Sequence, residues 1–316
     1  MSPYSKWGLH MSANSTISTI QIQERGLKTV KFKNKLIPVL FLLPGVLFTF
    51  IFRYYTMFSS FWISLHRYDV TNPPGEFVGF GNYKDMLVNP DFWKAWEVTF
   101  LFVLFSLLLH FWVPIVQALF LNEIVRGRGI FSSLYLLPTV IPAVANVIIW
   151  KWIFHPVYGL ANKIVGFFGL PAQTWYSDPR LTIFCIVFPT IVGGGFSVLL
   201  YLSAIQGISR DVVEAAEIDG CSGFKRLFYI TLPNIKFLML IQLILMVIGT
   251  MQILDPVIQY TMGGPGFESA SVAYFIYDKM QVRFDYGHAT AIAFMLQIVI
   301  AVITGIQLKL DNQARE

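Results

Sequence analysis

Four carboxylates fall within nine residues of this chain: Asp211, Glu214, Glu217 and Asp219, in the segment GISRDVVEAAEIDGCSGFKRLFYITLPN (207–234). The whole chain has only 18 acidic residues. Such a density suits charge-assisted contact with a partner protein. The alternative, an amphipathic hairpin resting among lipid headgroups, conflicts with four acids facing an anionic surface. Catalytic patterns are missing elsewhere. There is no G-x-x-x-x-G-K-S/T loop to cradle phosphates, no G-x-S-x-G and no H-E-x-x-H. The five histidines (10, 66, 110, 155 and 288) lack ligand spacing. His110, inside an apolar run, reads as a hydrogen-bonded or cavity-facing histidine, or as a proton-relay group. No paired carboxylates lie within the apolar runs, which weighs against an ion-driven carrier.

The acidic segment is patterned like structure. Asp211 precedes Glu214 by three, a capping arrangement for a helix start. Residues 212–218 are good helix formers, and Gly220 suits a left-handed stop. Ser222 and Gly223 restart a short helix over 224–229 carrying Lys225 and Arg226, which Leu232-Pro233 is expected to end. The segment therefore reads as two short helices joined at a glycine bend, a rigid knob on a surface.

The surface in question belongs to a membrane protein. Hydrophobic residues make up 55% of the 316, charged residues 13%, and mean hydropathy is +0.61. A soluble domain carries about a quarter charged residues, so a soluble enzyme, a disordered chain and a nucleic-acid-binding domain are all excluded. Two cysteines, Cys185 and Cys221, make no disulfide framework. Six runs are long and apolar enough to span a bilayer: roughly 37–61, 98–121, 130–154, 181–206, 235–258 and 286–308. The expected fold is all-α, a polytopic membrane protein with six transmembrane helices. Its parts are an N-terminal tail (1–36), a permease domain (37–308) and a C-terminal tail (309–316). Lys6, Arg25, Lys28, Lys31, Lys33 and Lys35 precede the first run, so the positive-inside rule places both termini in the cytoplasm. Arg126, Arg128, Arg210, Lys225, Arg226, Lys236, Lys309 and Arg315 then also fall inside. The net charge of +5 is mostly this orientation signal. Pro114, Pro138, Pro142, Pro189 and Pro256 interrupt the runs. Gly193, Gly194 and Gly195 allow close helix packing or line a pathway.

Glu214-Ala215-Ala216, then Gly220, Ile230 and Leu232-Pro233, match EAA-x3-G-x9-I-x-L-P at every fixed position. This resembles the EAA loop of the permeases of ATP-binding-cassette (ABC) importers. FVGFGNYKDML (77–87), TMGGPGFESASVAYFIYDKM (261–280) and RFDYGHATAIAFML (283–296) resemble elements of their carbohydrate branch. Together these segments are spread between residues 77 and 296. The resemblance implies a transport subunit that is not itself an enzyme. It would import a carbohydrate, an oligosaccharide in kind, across the cell membrane. Glu214, Ala215, Ala216, Asp219 and Gly220 would couple it to an ATPase, Ala215 and Ala216 being small enough to seat closely in a socket. No cofactor is expected in this chain, because ATP and Mg would be bound by the partner ATPase. The implied partners are a second permease in a heterodimer, two ATPase copies, an extracytoplasmic solute-binding protein, the carbohydrate and membrane lipid. Gly263-Gly264-Pro265 reads as a turn shaping the surface for that binding protein.

A sugar site needs hydrogen-bonding side chains and aromatic faces. Asn146, Trp150, Gln242, Thr250, Gln252, Asp255 and Gln259 qualify by position. In the resembling family the contacts flank the EAA loop, which implies Gly193 and Phe196 on one side and Thr250, Gln252 and Asp255 on the other. The rival readings are a permease for a polyol or glycerol phosphate, and an ion-coupled carrier. A phosphate calls for Arg or Lys within the runs, yet Arg53 and Lys151 lie toward their ends.

Overall fold

The computed structural model describes residues 33–69, 71, 73, 75–124 and 127–313. The basic N-terminal cluster before Lys33, Arg126 and Arg315 lie outside the described residues. The chain divides into two compact units, Met1–Ser60 and Phe61–Glu316. In the first unit the described residues, from Lys33, are helical, and the apolar stretch Val39–Ser64 (α1), which begins in this unit, is long enough to cross a membrane. Its side chains are apolar all round, which marks a helix made for lipid or for other helices. Two of its hydroxyls bond within the helix: Thr49 Oγ1 donates to the Gly45 carbonyl and Thr56 Oγ1 to that of Phe52.

The second unit is a helical bundle. A hairpin of two short strands, β1 (His66–Arg67) and β2 (Glu76–Phe77), pairs His66 with Phe77 in antiparallel register. After it come α2 (Gly81–Leu87) and α3 (Pro90–Glu123). A bent pair follows, α4 (Arg128–Val140) and α5 (Ala143–Ile153), turning by 97°. The short α6 (Leu160–Phe167) leads to a second bent pair, α7 (Thr182–Val192) and α8 (Gly195–Gln206), at 51°. Then come α9 (Arg210–Ile218), α10 (Phe224–Met251), α11 (Asp255–Tyr260), α12 (Val272–Tyr277) and α13 (Tyr286–Gln313). Counting each bent pair once, six segments among the described residues are long and apolar enough to cross a membrane, four of them continuous.

The prolines divide into two groups. Pro142 breaks its span, because the residue before proline is pushed to extended backbone, and Ile141 has φ −69° and ψ 128°. Pro114 and Pro233 do not break theirs. A π-helical turn precedes each, Leu107–Phe111 and Leu227–Thr231. The wider turn absorbs the lost backbone donor, and Asn234 Nδ2 donates to the Ile230 carbonyl at 2.7 Å. Hence the expected stop at Leu232-Pro233 is absent, and the second short helix of the acidic segment is the first turn of α10. The fifth span also ends earlier than expected, at Met251, where Gln252 departs from helical backbone.

The main core is built from α3, α8, α10, α12 and α13, with Ile115, Tyr201, Met251, Phe275 and Ile292 fully buried. Gly195 is needed here: a methyl group on it would clash with the Tyr135 carbonyl oxygen, so α8 approaches α4 backbone to backbone. Two of the sequence segments noted above meet at the start of α13. Asn82 Nδ2 donates to the carbonyls of Ser64 and His66, and the Tyr286 and Gly287 amides donate to the Tyr68 carbonyl. Gly287 lies against His66 with no room for a side chain. The loop holding Gly263-Gly264-Pro265 is tied to α3: Lys94 pairs with Glu268 at 2.8 Å, and Thr99 Oγ1 accepts from the Val272 amide.

Candidate functional site: an exposed acidic helix and a polar cavity

The helix α9 starts after Ser209, whose extended backbone (φ −56°, ψ 136°) takes the capping position without a side-chain bond. Asp211 therefore lies in the first turn rather than at the cap. It opposes the positive end of the helix dipole instead of closing a capping box. The other end is a Schellman stop. Gly220 has φ +74°, its amide donates to the Glu217 carbonyl, and the Cys221 amide donates to that of Ala216.

The two alanines of α9 differ in surroundings, Ala215 being exposed and Ala216 buried. Ala216 is the one residue of the helix that is buried in its own chain. Glu214, Ala215, Ile218, Asp219 and Gly220 are exposed, with Ile218 at 86% and the nearby Phe224 at 81%. An exposed isoleucine and phenylalanine flanked by acids make a small apolar-acidic face, the kind that partner proteins cover.

A cavity of about 280 Å³ opens between α3, α8 and α10, lined by His110 and Phe111, Ser197 and Tyr201, and Gln242, Leu245, Met246, Gly249 and Thr250. Among the described residues, His110 Nδ1, Tyr201 Oη and Gln242 Nε2 are buried without a hydrogen-bond partner. Buried polar atoms are normally paired, so three convergent unpaired ones mark a place that water or a ligand fills. A larger, mainly apolar groove of about 360 Å³ is lined by Gln117, Tyr135, Pro138 and Val192 among others. Gln117 and His110 lie two turns apart on one face of α3.

Of the residues expected to line a pathway, Thr250 lines the cavity. Phe196 is exposed on the side of α8, one position from Ser197. Gln252 caps the end of α10, its Nε2 donating to the Ile248 carbonyl, and Asp255 opens α11; both are exposed. Gly193 ends the helix before the Gly194 break. Gln242 was legible as a polar residue in an apolar run. Ser197 and Tyr201 were not singled out, because an apolar helix commonly carries such hydroxyls within its packing. No group of three His, Cys, Asp or Glu is placed to hold a metal among the described residues.

A bundle of broken and continuous apolar helices around a polar cavity has the architecture of a multi-pass membrane protein. The sequence model of the family described as "binding-protein-dependent transport system inner membrane component" matches residues 121–316, and the chain belongs to that family. It is 32% identical over 91% of its length to the trehalose/maltose transport system permease protein MalF of Thermococcus litoralis, covering 97% of that protein. It is 30% identical over 92% of its length to the arabinooligosaccharides transport system permease protein AraP of Bacillus subtilis, covering 93% of that protein. Its fold is also that of a chain in a bacterial alginate ABC transporter solved with an alginate pentasaccharide-bound periplasmic protein. There the TM-score is 0.80 at 22% identity, over 89% of this chain and 96% of the other. The chain is thus an ABC transporter permease subunit.

Proposed function

We propose that this chain imports an oligosaccharide as one of two permease subunits in a heterodimer. A solute-binding protein outside the cell delivers the sugar, and two copies of a cytosolic ATPase, which hold ATP and Mg, supply the energy. Both termini lie in the cytoplasm, so α9 faces the ATPase and offers it Glu214, Ala215, Ile218 and the Gly220 turn. The observation that carries the substrate reading is the cavity. Its histidine, tyrosine and glutamine present unpaired polar atoms, and Ser197 and Thr250 add hydroxyls beside the rings of Phe111 and Tyr201. That mixture suits sugar hydroxyls and ring faces. The named substrates of MalF and AraP point the same way. A permease for sn-glycerol-3-phosphate is also a relative, at 28% identity, but among the described residues this cavity lining has no Arg or Lys to meet a phosphate.

Energetically, ATP acts only through its different affinity for two states of the bundle. Closing of the ATPase pair pushes α9, and the spans reopen the cavity to the other side. Co-purification followed by reconstitution in proteoliposomes tests this reading. The chain should bring down an ATPase and a second permease, and the purified binding protein loaded from a sugar panel should stimulate both hydrolysis and uptake. Glu214→Lys should abolish uptake while leaving the chain in the membrane. Normal uptake by that variant would remove α9 from the mechanism.

A further inference from the structure

Arg226 stands where three elements meet. Its Nη1 lies 3.1 Å from Glu217 Oε1 on α9, and its Nη2 lies 2.9 Å from Glu123 Oε1 at the end of α3, while Arg226 itself sits on the first turn of α10. One planar guanidinium thus holds two carboxylates, a geometry that lysine cannot reproduce with its point charge. None of these three residues belongs to the fixed positions of the EAA pattern, so the pattern alone assigns them nothing.

The surroundings make this fork the main polar tie between α9 and the spans. The helix has a single buried residue, Ala216, so apolar packing holds it weakly. Its covalent links are compliant: Gly207 precedes it, and Gly220 and Gly223 follow with φ +74° and +56°. The two spans that Arg226 joins are also the two that carry His110 and Gln242 into the cavity. Counting along α3 from Glu123 and along α10 from Arg226, those groups lie about 20–25 Å away at 1.5 Å per residue.

We propose that Arg226 is a positioning residue for transport, the joint through which displacement of α9 reaches α3 and α10 together. An exposed ion pair adds little to stability, and the guanidinium is 29% exposed. Its role is geometric: it makes α9 and two cavity-bearing spans move as one body, where glycine links alone would let α9 swing by itself. This rests on the proposed function, because a displacement of α9 presupposes an ATPase beneath it.

The test is the number of ATP molecules hydrolysed per sugar imported, measured on the complete reconstituted importer. Arg226→Gln should keep subunit stoichiometry and hydrolysis near normal while uptake falls about tenfold, within the usual range of coupling between sites. Glu123→Gln, which cuts only the α3 arm, should shift the ratio in the same direction and guards against a folding defect at Arg226. Reversing the charges together, Arg226→Glu with Glu123→Arg and Glu217→Arg, should recover part of the uptake. An unchanged ratio in both single variants overturns the proposal. So does loss of the ATPase from the complex, which would make Arg226 a docking residue. If the unaltered chain recruits no ATPase, the proposed function itself fails, and that result is read before any variant is made.

Discussion

Tyr201 is among the largest fully buried side chains, yet its hydroxyl has no partner among the described residues. Tyr201→Phe should therefore leave thermal stability unchanged or slightly higher, since it removes an unsatisfied group, while raising the sugar concentration needed for half-maximal uptake. Gln242→Leu should behave alike. If both variants transport normally, the cavity is not the sugar's path. A second residue-scale expectation concerns Asp285, just ahead of α13. Burial alone would raise its carboxyl above the ordinary 3.8. Hydrogen bonds from the His288 ring at 2.8 and 2.9 Å, the charge and amide of His288, and the Lys279 ammonium more than offset this and hold it low. A lowered folded value means that the stability it contributes is complete above about pH 4 and fades as pH falls through that value. Asp285→Asn should lower the thermal midpoint at pH 7, by about 1.5–3 kcal/mol of stability, and the gap to the unaltered protein should narrow below about pH 4. Residue identity was legible here only in part. Gln242 and Thr250 stood out as polar groups in apolar runs. Phe196 suits a pathway by its ring, but adjacent residues on a helix point about 100° apart, and it is Ser197 that lines the cavity. The phase of α8 is set by the break at Gly194 and the contact of Gly195 with Tyr135, neither of which a count along the sequence can place.

At the scale of elements, length and apolarity alone located all six candidate spans, and the left-handed stop at Gly220 was readable from one residue. The path of the chain through its prolines was not. A proline cannot donate a backbone hydrogen bond whatever follows, but the response differs: Pro142 bends the chain and Pro233 is passed by a wider turn. The difference lies in whether neighbouring residues can widen the helix and supply a substitute donor, as Asn234 does. Two glycine substitutions separate conformational cost from space. Gly220→Ala meets no neighbour but must adopt φ +74°. It should destabilise the end of α9 by about 1–2 kcal/mol, visible as faster amide exchange at Cys221 while the bundle keeps its melting point. Gly195→Ala has an ordinary backbone but would clash with the Tyr135 carbonyl. It should prevent α8 from seating on α4, read as loss of the folded monomer peak in detergent; a normally folded variant would show that the close approach is dispensable.

For the whole molecule, the proposed cycle requires the cavity to change the side on which it meets water. Of the two cysteines, Cys185 is buried and Cys221 is partly exposed, so Ser197→Cys in a Cys221→Ser background gives a clean reporter. Its modification by an impermeant thiol reagent added outside should rise about tenfold or more when the ATPase pair is held closed. Equal rates in both conditions would mean that the cavity does not alternate. The membrane character was evident from composition, and the transport family from the EAA segment. The cavity was not, because its lining comes from spans brought together only by folding. The π-helical turn at Leu227–Thr231 has one further consequence, and it is genetic. Such a turn accommodates one residue more than an α-helical turn. Loss of a single codon there would let the helix close up, leaving the apolar span downstream intact but rotating the preceding turn by about 100°. Arg226 would then face away from Glu123 and Glu217 although every one of the three residues was still encoded. In a lineage that drifts by insertion and deletion, this junction would be lost through a change in reading length that no comparison of residue types would flag.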